Sequence, residues 1–223
     1  MSEQSLNIAN CVMNDPISIE EVKRVIIKLK LKKSTGFDRI PNEVLKRDGI
    51  LSVLCVLLQK CFDFGKIPSV WNRAIISPIP KGADKNPYLP LSYRGISLLS
   101  CVYKVYTGIL NNRIVDYSDD MEMVNDEQNG FRKGRSCRDH VFVLTSIIRN
   151  RKADNLDTFG CFVDLQKAFD SVDRDLLLWK LLNYNIMGKL YRAIKSIYLH
   201  PCSCVRINNK STDWFDTKYG VRQ

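Results

Sequence analysis

Histidine is almost missing from this sequence. Only His140 and His200 occur among 223 residues, too few for an imidazole-based zinc centre. The eight cysteines do not make up for them, because they are scattered and Cys202-Ser203-Cys204 has the wrong spacing for a zinc knuckle. No structural zinc is expected. Several cysteines sit inside apolar runs such as Val53 to Phe64, and no secretory h-region precedes them. They read as reduced thiols, mostly in a core, in an intracellular chain. No apolar stretch approaches the roughly 20 residues a membrane helix needs, so a soluble protein without a membrane partner is expected. Internal repeats and flexible linkers are also lacking, as is an import signal that would separate nuclear from cytoplasmic residence.

What is present is ordinary globular composition with an excess of positive charge. Hydrophobic residues make up 45% and charged residues 26% of the chain, enough for one sizeable core or two small subdomains. Lysine and arginine total 34 against 24 aspartate and glutamate, a net charge of +10. That balance favours a polyanionic partner such as nucleic acid.

Along the chain, Ser18 and Glu21 form a capping-box pattern ahead of Val22, Val25, Ile26 and Leu29, predicting an amphipathic helix from about Ile19 to Leu31. Its other face carries Lys23, Arg24, Lys28 and Lys30. A loop follows at Ser34 to Pro41, then a helix over roughly Asn42 to Lys46, and a largely buried one near Leu51 to Phe64 that ends at Gly65. Trp71 to Pro80 is β-rich with prolines, which suits an edge strand leading into Lys81. A loop spans Gly82 to Leu91. Tyr93 to Leu99 leads into a helix through Tyr103, Tyr106, Ile109, Leu110 and Ile114. Glycines and cations crowd the loop from Glu127 to Cys137, ahead of a helix beginning near Arg138. Two further helices are expected, one capped by Ser171 or Asp173 and one through Leu190, Ile194 and Tyr198. A hairpin should join Cys204 to Ile207 with Asp213 to Asp216 across Asn208 to Thr212.

The most informative stretch is Phe162-Val163-Asp164-Leu165-Gln166-Lys167-Ala168-Phe169-Asp170-Ser171. Phe159, Cys161, Phe162 and Val163 read as a buried strand, and a carboxylate at its end, Asp164, is costly unless a cation or donors compensate it. This run resembles polymerase motif A of reverse transcriptases, specifically those of non-LTR (LINE-type) retrotransposons. Lys32 to Pro41 is similar to the N-terminal extension motif of the same enzymes, and Gly220-Val221-Arg222-Gln223 to the start of their motif B. The resemblance covers about Ser18 to Gln223.

The resemblance implies an α+β fold: an incomplete right-hand polymerase with mainly helical fingers and a partial palm sheet. Residues 1–17 would be a polar N-terminal tail, 18–150 the fingers, and 151–223 the palm from motif A to the start of motif B. Asp164 and the backbone carbonyl of Leu165 would bind Mg2+, one side of a two-metal site. Lys81 and Arg94 would grip the triphosphate, Phe169 would pack under the sugar and disfavour a ribose 2′ hydroxyl, and Gln223 would lie near the incoming nucleotide. Arg132, Lys133 and Arg135 would contact the template backbone, with solvation of that loop as the competing reading. Partners would be an RNA template, a DNA primer and dNTPs; the oligomeric state stays open. The family usually has proline where Gly95 stands, which would loosen that loop. Asp170 reads as structural. No Asp-Asp turn of motif C follows, and Asp119-Asp120 precedes motif A in a loop or cap context, so the chain is expected to be a truncated reverse transcriptase that does not polymerise alone. A non-catalytic nucleic-acid-binding remnant, an inert product and a group II intron maturase-like enzyme are the alternatives.

Overall fold

The computed structural model describes residues 12–82, 84–208 and 210–222. In chain order its elements are α1 (Ile19–Lys28), α2 (Asn42–Leu45), α3 (Ile50–Phe64), β1 (Arg73–Pro80), β2 (Tyr93–Leu98), α4 (Cys101–Asp120), α5 (Cys137–Ala153), α6 (Arg174–Asn183), α7 (Gly188–Ile197), β3 (Cys202–Ile207), β4 (Lys210–Ser211) and β5 (Phe215–Asp216). They divide into two compact units. One is built from the chain up to Ile114 together with the chain from Lys167 onward, the other from Val115–Gln166.

The first unit holds the core. The expected capping box opens α1: Glu21 donates its amide to Ser18 Oγ at 3.1 Å, and Ser18 donates its own to the Glu21 carboxylate at 2.9 Å. Val22, Val25 and Ile26 are buried, and the helix stops at Leu29, where the backbone turns extended. Gly65 ends α3 in the left-handed region at φ 60°, a conformation that costs glycine little. α3 is less buried than its composition suggests. Leu54, Leu58, Cys61 and Phe62 are inside while Val53, Val56 and Phe64 are exposed, because only one face of the helix finds a neighbour. Tyr106, Phe62, Leu58, Ile109 and Leu190 form the centre of this core.

Arg113 on α4 ties the N-terminal segment to that core. Its guanidinium donates to Glu21 at 2.7 and 2.8 Å, and to the carbonyls of Met13, Asp15 and Pro16. The guanidinium carbon lies over the Phe62 ring, 5.0 Å from its centroid. Burial alone would raise the Glu21 carboxyl, but the bonds from Arg113 and Ser18 outweigh it and hold Glu21 below the ordinary value of 4.5.

The sheet runs β2-β1-β3-β4, with β5 also on β3. β1 is therefore not an edge strand. It is antiparallel to β2 and parallel to β3. Its prolines are tolerated because β3 pairs only with Arg73 to Ile76, so Pro78 and Pro80 lie past that ladder. The expected hairpin is corrected in turn and register: Arg206 and Ile207 pair with β4, inside the segment read as the turn, while β5 pairs with Cys202 and Ser203, ahead of the expected strand start at Cys204.

The second unit contains the end of α4, the basic loop, α5 and the segment 156–165. A capping box formed by Ser136 and Asp139 opens α5. Here the expectation of a buried strand at Phe159 to Val163 is overturned. Residues 156–165 adopt no regular structure, and Phe162 and Val163 are 91% and 83% exposed. A strand exists only through its partners, and among the described residues none pairs with this one, so its backbone polar groups are left to water.

Candidate functional site

Lys81 and Arg94 come together through strand register. Ile79 lies opposite Arg94, and Lys81 donates its amide to the Ser92 carbonyl at 2.9 Å, continuing the ladder by one step. Lys81 and Arg94 are thus diagonal neighbours on one face of the ribbon, a separation of about 7–8 Å between their backbones. Both are exposed. Two cations so placed can meet successive phosphates of one ligand, one as a point charge and one as a planar fork. Gly95 is not in a loosened loop. It pairs with Pro78 inside the ladder, and a Cβ there would stand 3.0 Å from the Ile76 side chain, so the missing side chain makes room for β1.

Phe169 sits in the turn after Lys167, which is itself left-handed at φ 52°. The turn is pinned from the far end of the chain: Val221 donates to the Phe169 carbonyl at 2.8 Å and Gly220 to Val172 at 2.9 Å. Gly220 has φ 78°, and a Cβ on it would stand 2.8 Å from Asp170 Cα and the Phe169 carbonyl. Only glycine satisfies both demands. Asp170 belongs to this turn as a backbone donor to Lys167, in keeping with a structural role.

Two arginines whose anchoring role the sequence did not reveal hold the 217–222 segment in place. Arg174 donates to the carbonyls of Thr217, Tyr219 and Gly220, with its guanidinium over Tyr198. Arg222 donates to Trp71 and Asn72. Burial lowers the Arg222 pKa, and burial pushes the Tyr103 phenol beside it up to about 12, against the opposing Arg222 charge. Together Tyr103, Arg174, Tyr198 and Arg222 line a cavity of about 200 Å³. Arg174 had no sequence signal, and Arg222 stood in the motif B resemblance without an anchoring role, since the partners of each are backbone carbonyls distant in the chain.

Asp164 and Leu165 lie in the exposed segment of the second unit. The Asp164 carboxylate has no protein partner among the described residues, and an exposed carboxylate is the donor type that magnesium takes. No three His, Cys, Asp or Glu side chains gather to hold a metal among the described residues. The described residues therefore do not complete a two-metal site. Gln223 lies outside the described residues. In the basic loop, Arg132 and Arg135 both face Asp126, at 3.5 and 3.0 Å, and Arg132 also donates to the Asn125 carbonyl. Lys133 shares the cleft they line with Asp119 and Glu122. The loop is less one-sided in charge than its sequence alone suggests. Asp119 and Asp120 end α4, away from any turn of the motif C kind.

Residues 79–223 match the family model described as reverse transcriptase (RNA-dependent DNA polymerase). A Drosophila melanogaster protein named "Probable RNA-directed DNA polymerase from transposon BS" is 33% identical over 87% of this chain and 21% of its own length. The RNA-directed DNA polymerase from mobile element jockey of the same organism is 30% identical over 81% of this chain and 20% of its own. A Xenopus laevis transposon TX1 protein of 149 kDa is 26% identical over 95% of this chain and 16% of its own. The chain thus spans about a fifth of the length of these curated relatives. No helix among the described residues is long and apolar enough to cross a membrane. With the family match running from the strand that leads into Lys81 to the end of the chain, the protein belongs to the reverse transcriptase family, as the reverse-transcriptase domain type of non-LTR retrotransposons.

Proposed function

We propose that this chain is the nucleotide- and template-handling part of an RNA-directed DNA polymerase, with residues 18–150 as fingers and 151–223 as part of a right-hand palm. Lys81 and Arg94 grip the triphosphate of an incoming dNTP. Phe169 packs beneath its deoxyribose, and Gln223 lies close by. Arg132, Lys133 and Arg135 track the backbone of an RNA template paired to a DNA primer. Asp164, with the Leu165 carbonyl, contributes one carboxylate toward Mg2+, which when bound would neutralise phosphate charge during phosphoryl transfer. The observation that carries this reading is the shared face of Lys81 and Arg94 inside the region matched by the family model.

The test is equilibrium binding of a fluorescent dTTP analogue. Lys81→Ala and Arg94→Ala should each weaken it about tenfold or more, the range for a lost charge-assisted hydrogen bond. Unchanged affinity in both would overturn the assignment. Phe169→Val should narrow the preference for dTTP over UTP. Primer extension on an RNA template with Mg2+ should give no product from this chain alone, because one carboxylate cannot hold two metals. Extension that Asp164→Ala abolishes would contradict that expectation.

A further inference from the structure

Three segments far apart in sequence converge at one end of the sheet. Phe37 comes from the loop before α2, Arg73 from the first position of β1, and Trp214 from the residue before β5. The two rings meet edge to face at 5.3 Å. The Arg73 guanidinium lies over both, 4.7 Å from the Phe37 centroid and 5.3 Å from that of Trp214. Each component is fixed by backbone rather than by its own side chain. Gly36 presses its loop so closely on Leu99 and Ser100 that a Cβ there would stand 2.3 Å from the Ser100 nitrogen. Arg73 pairs with Cys202, and Phe215, next to Trp214, pairs with Ser203.

The cluster is built yet open. Phe37 and Trp214 keep 39% and 38% of their surface exposed, and Arg73 is exposed too. No described residue accepts a hydrogen bond from the Arg73 guanidinium or pairs with it as an ion. A guanidinium propped on aromatic faces with its donors free can take a phosphate, while the uncovered ring surface beside it can take a flat base. We propose that Phe37, Arg73 and Trp214 form a binding site for one unpaired nucleotide of a single-stranded nucleic acid, phosphate on Arg73 and base on Trp214. The length of β1 and one step beyond it separate Arg73 from Lys81, a distance of about 26 Å at strand rise, so it is a site apart from the triphosphate grip. The inference rests on the nucleic-acid reading above and deepens it.

The test uses the whole chain carrying Trp179→Phe, which removes the other exposed tryptophan and leaves Trp71 buried. Probes are a short oligouridylate and an RNA duplex of equal phosphate count. Oligouridylate should quench Trp214 fluorescence. Trp214→Ala and Arg73→Gln should each weaken its binding about tenfold, the scale of one lost base stack, with a smaller effect on the duplex. Trp214→Phe should restore most of the affinity, which also guards against a folding defect in the alanine variant. If Trp214→Ala and Arg73→Gln leave oligouridylate affinity unchanged while the parent chain binds it, the cluster is a structural latch; the site is then overturned and the nucleic-acid reading survives. If the parent chain binds neither probe, both fall.

Discussion

The turn around Phe169 and the segment around Asp164 are neighbours in sequence and opposites in support. Phe169 is held by Val221, backed by a glycine that no other residue can replace, and braced by the three carbonyl contacts of Arg174. Asp164 is preceded by apolar side chains that face solvent and have no ladder partner among the described residues. The difference teaches that the two halves of motif A are positioned by different means. The half bearing Phe169 is fixed by backbone hydrogen bonds within its own compact unit, whereas the half bearing Asp164 has no strand partner among the described residues.

Arg113→Ala attacks the well-supported side hardest. It leaves the Glu21 carboxylate and three carbonyls without their donor, and breaking a buried pair this way costs about 3–5 kcal/mol. Urea unfolding followed by tryptophan fluorescence should show that loss. Gly220→Ala comes next, at about 1–3 kcal/mol, from a left-handed backbone with a Cβ forced onto Asp170. Its signature beyond stability is weaker dTTP-analogue binding, since the Phe169 turn loses its brace.

A pH titration gives a smaller effect with a defined sign. Glu21 has a lowered folded pKa, so its stabilisation is present above the unfolded value of 4.5 and is lost as pH falls through the folded one. Urea midpoints below pH 4.5 should therefore fall in the parent chain and be flatter in Glu21→Gln. Tyr103 has the opposite sense: with its pKa raised to about 12, stability is full below 10 and declines as pH climbs toward 12. The smallest effect belongs to the unsupported side. Phe162→Ser should change stability by less than about 0.5 kcal/mol, as a surface substitution does; a loss of about 3–5 kcal/mol would mean a buried strand and would erase the contrast.

Much of the local structure was legible in residue types. The capping box at Ser18, the Gly65 stop and the Asp173 cap all depend on short-range hydrogen bonds, and the structure places them where the pattern does. Long-range pairing was not legible. Prolines suggested an edge for β1, but they mark only its far half, and the strand's partners are set by β3, more than a hundred positions downstream. The apolar run before Asp164 has the composition of a buried strand, yet burial depends on a partner that composition does not encode. Lys81 and Arg94 were readable as types, and their common face became visible only with the register. The anchoring roles of Arg174 and Arg222 carried no signal, because backbone carbonyls brought close by folding have no sequence pattern.

Amide hydrogen exchange read by mass spectrometry tests the contrast most directly. Peptides from α4, α7 and β1, and the 217–222 segment that pins Phe169, should exchange slowly, while 156–165 should exchange near the rate of an unstructured chain. Strong protection across 156–165 would contradict the central claim, placing the Asp164 segment in a paired strand on equal footing with the Phe169 turn.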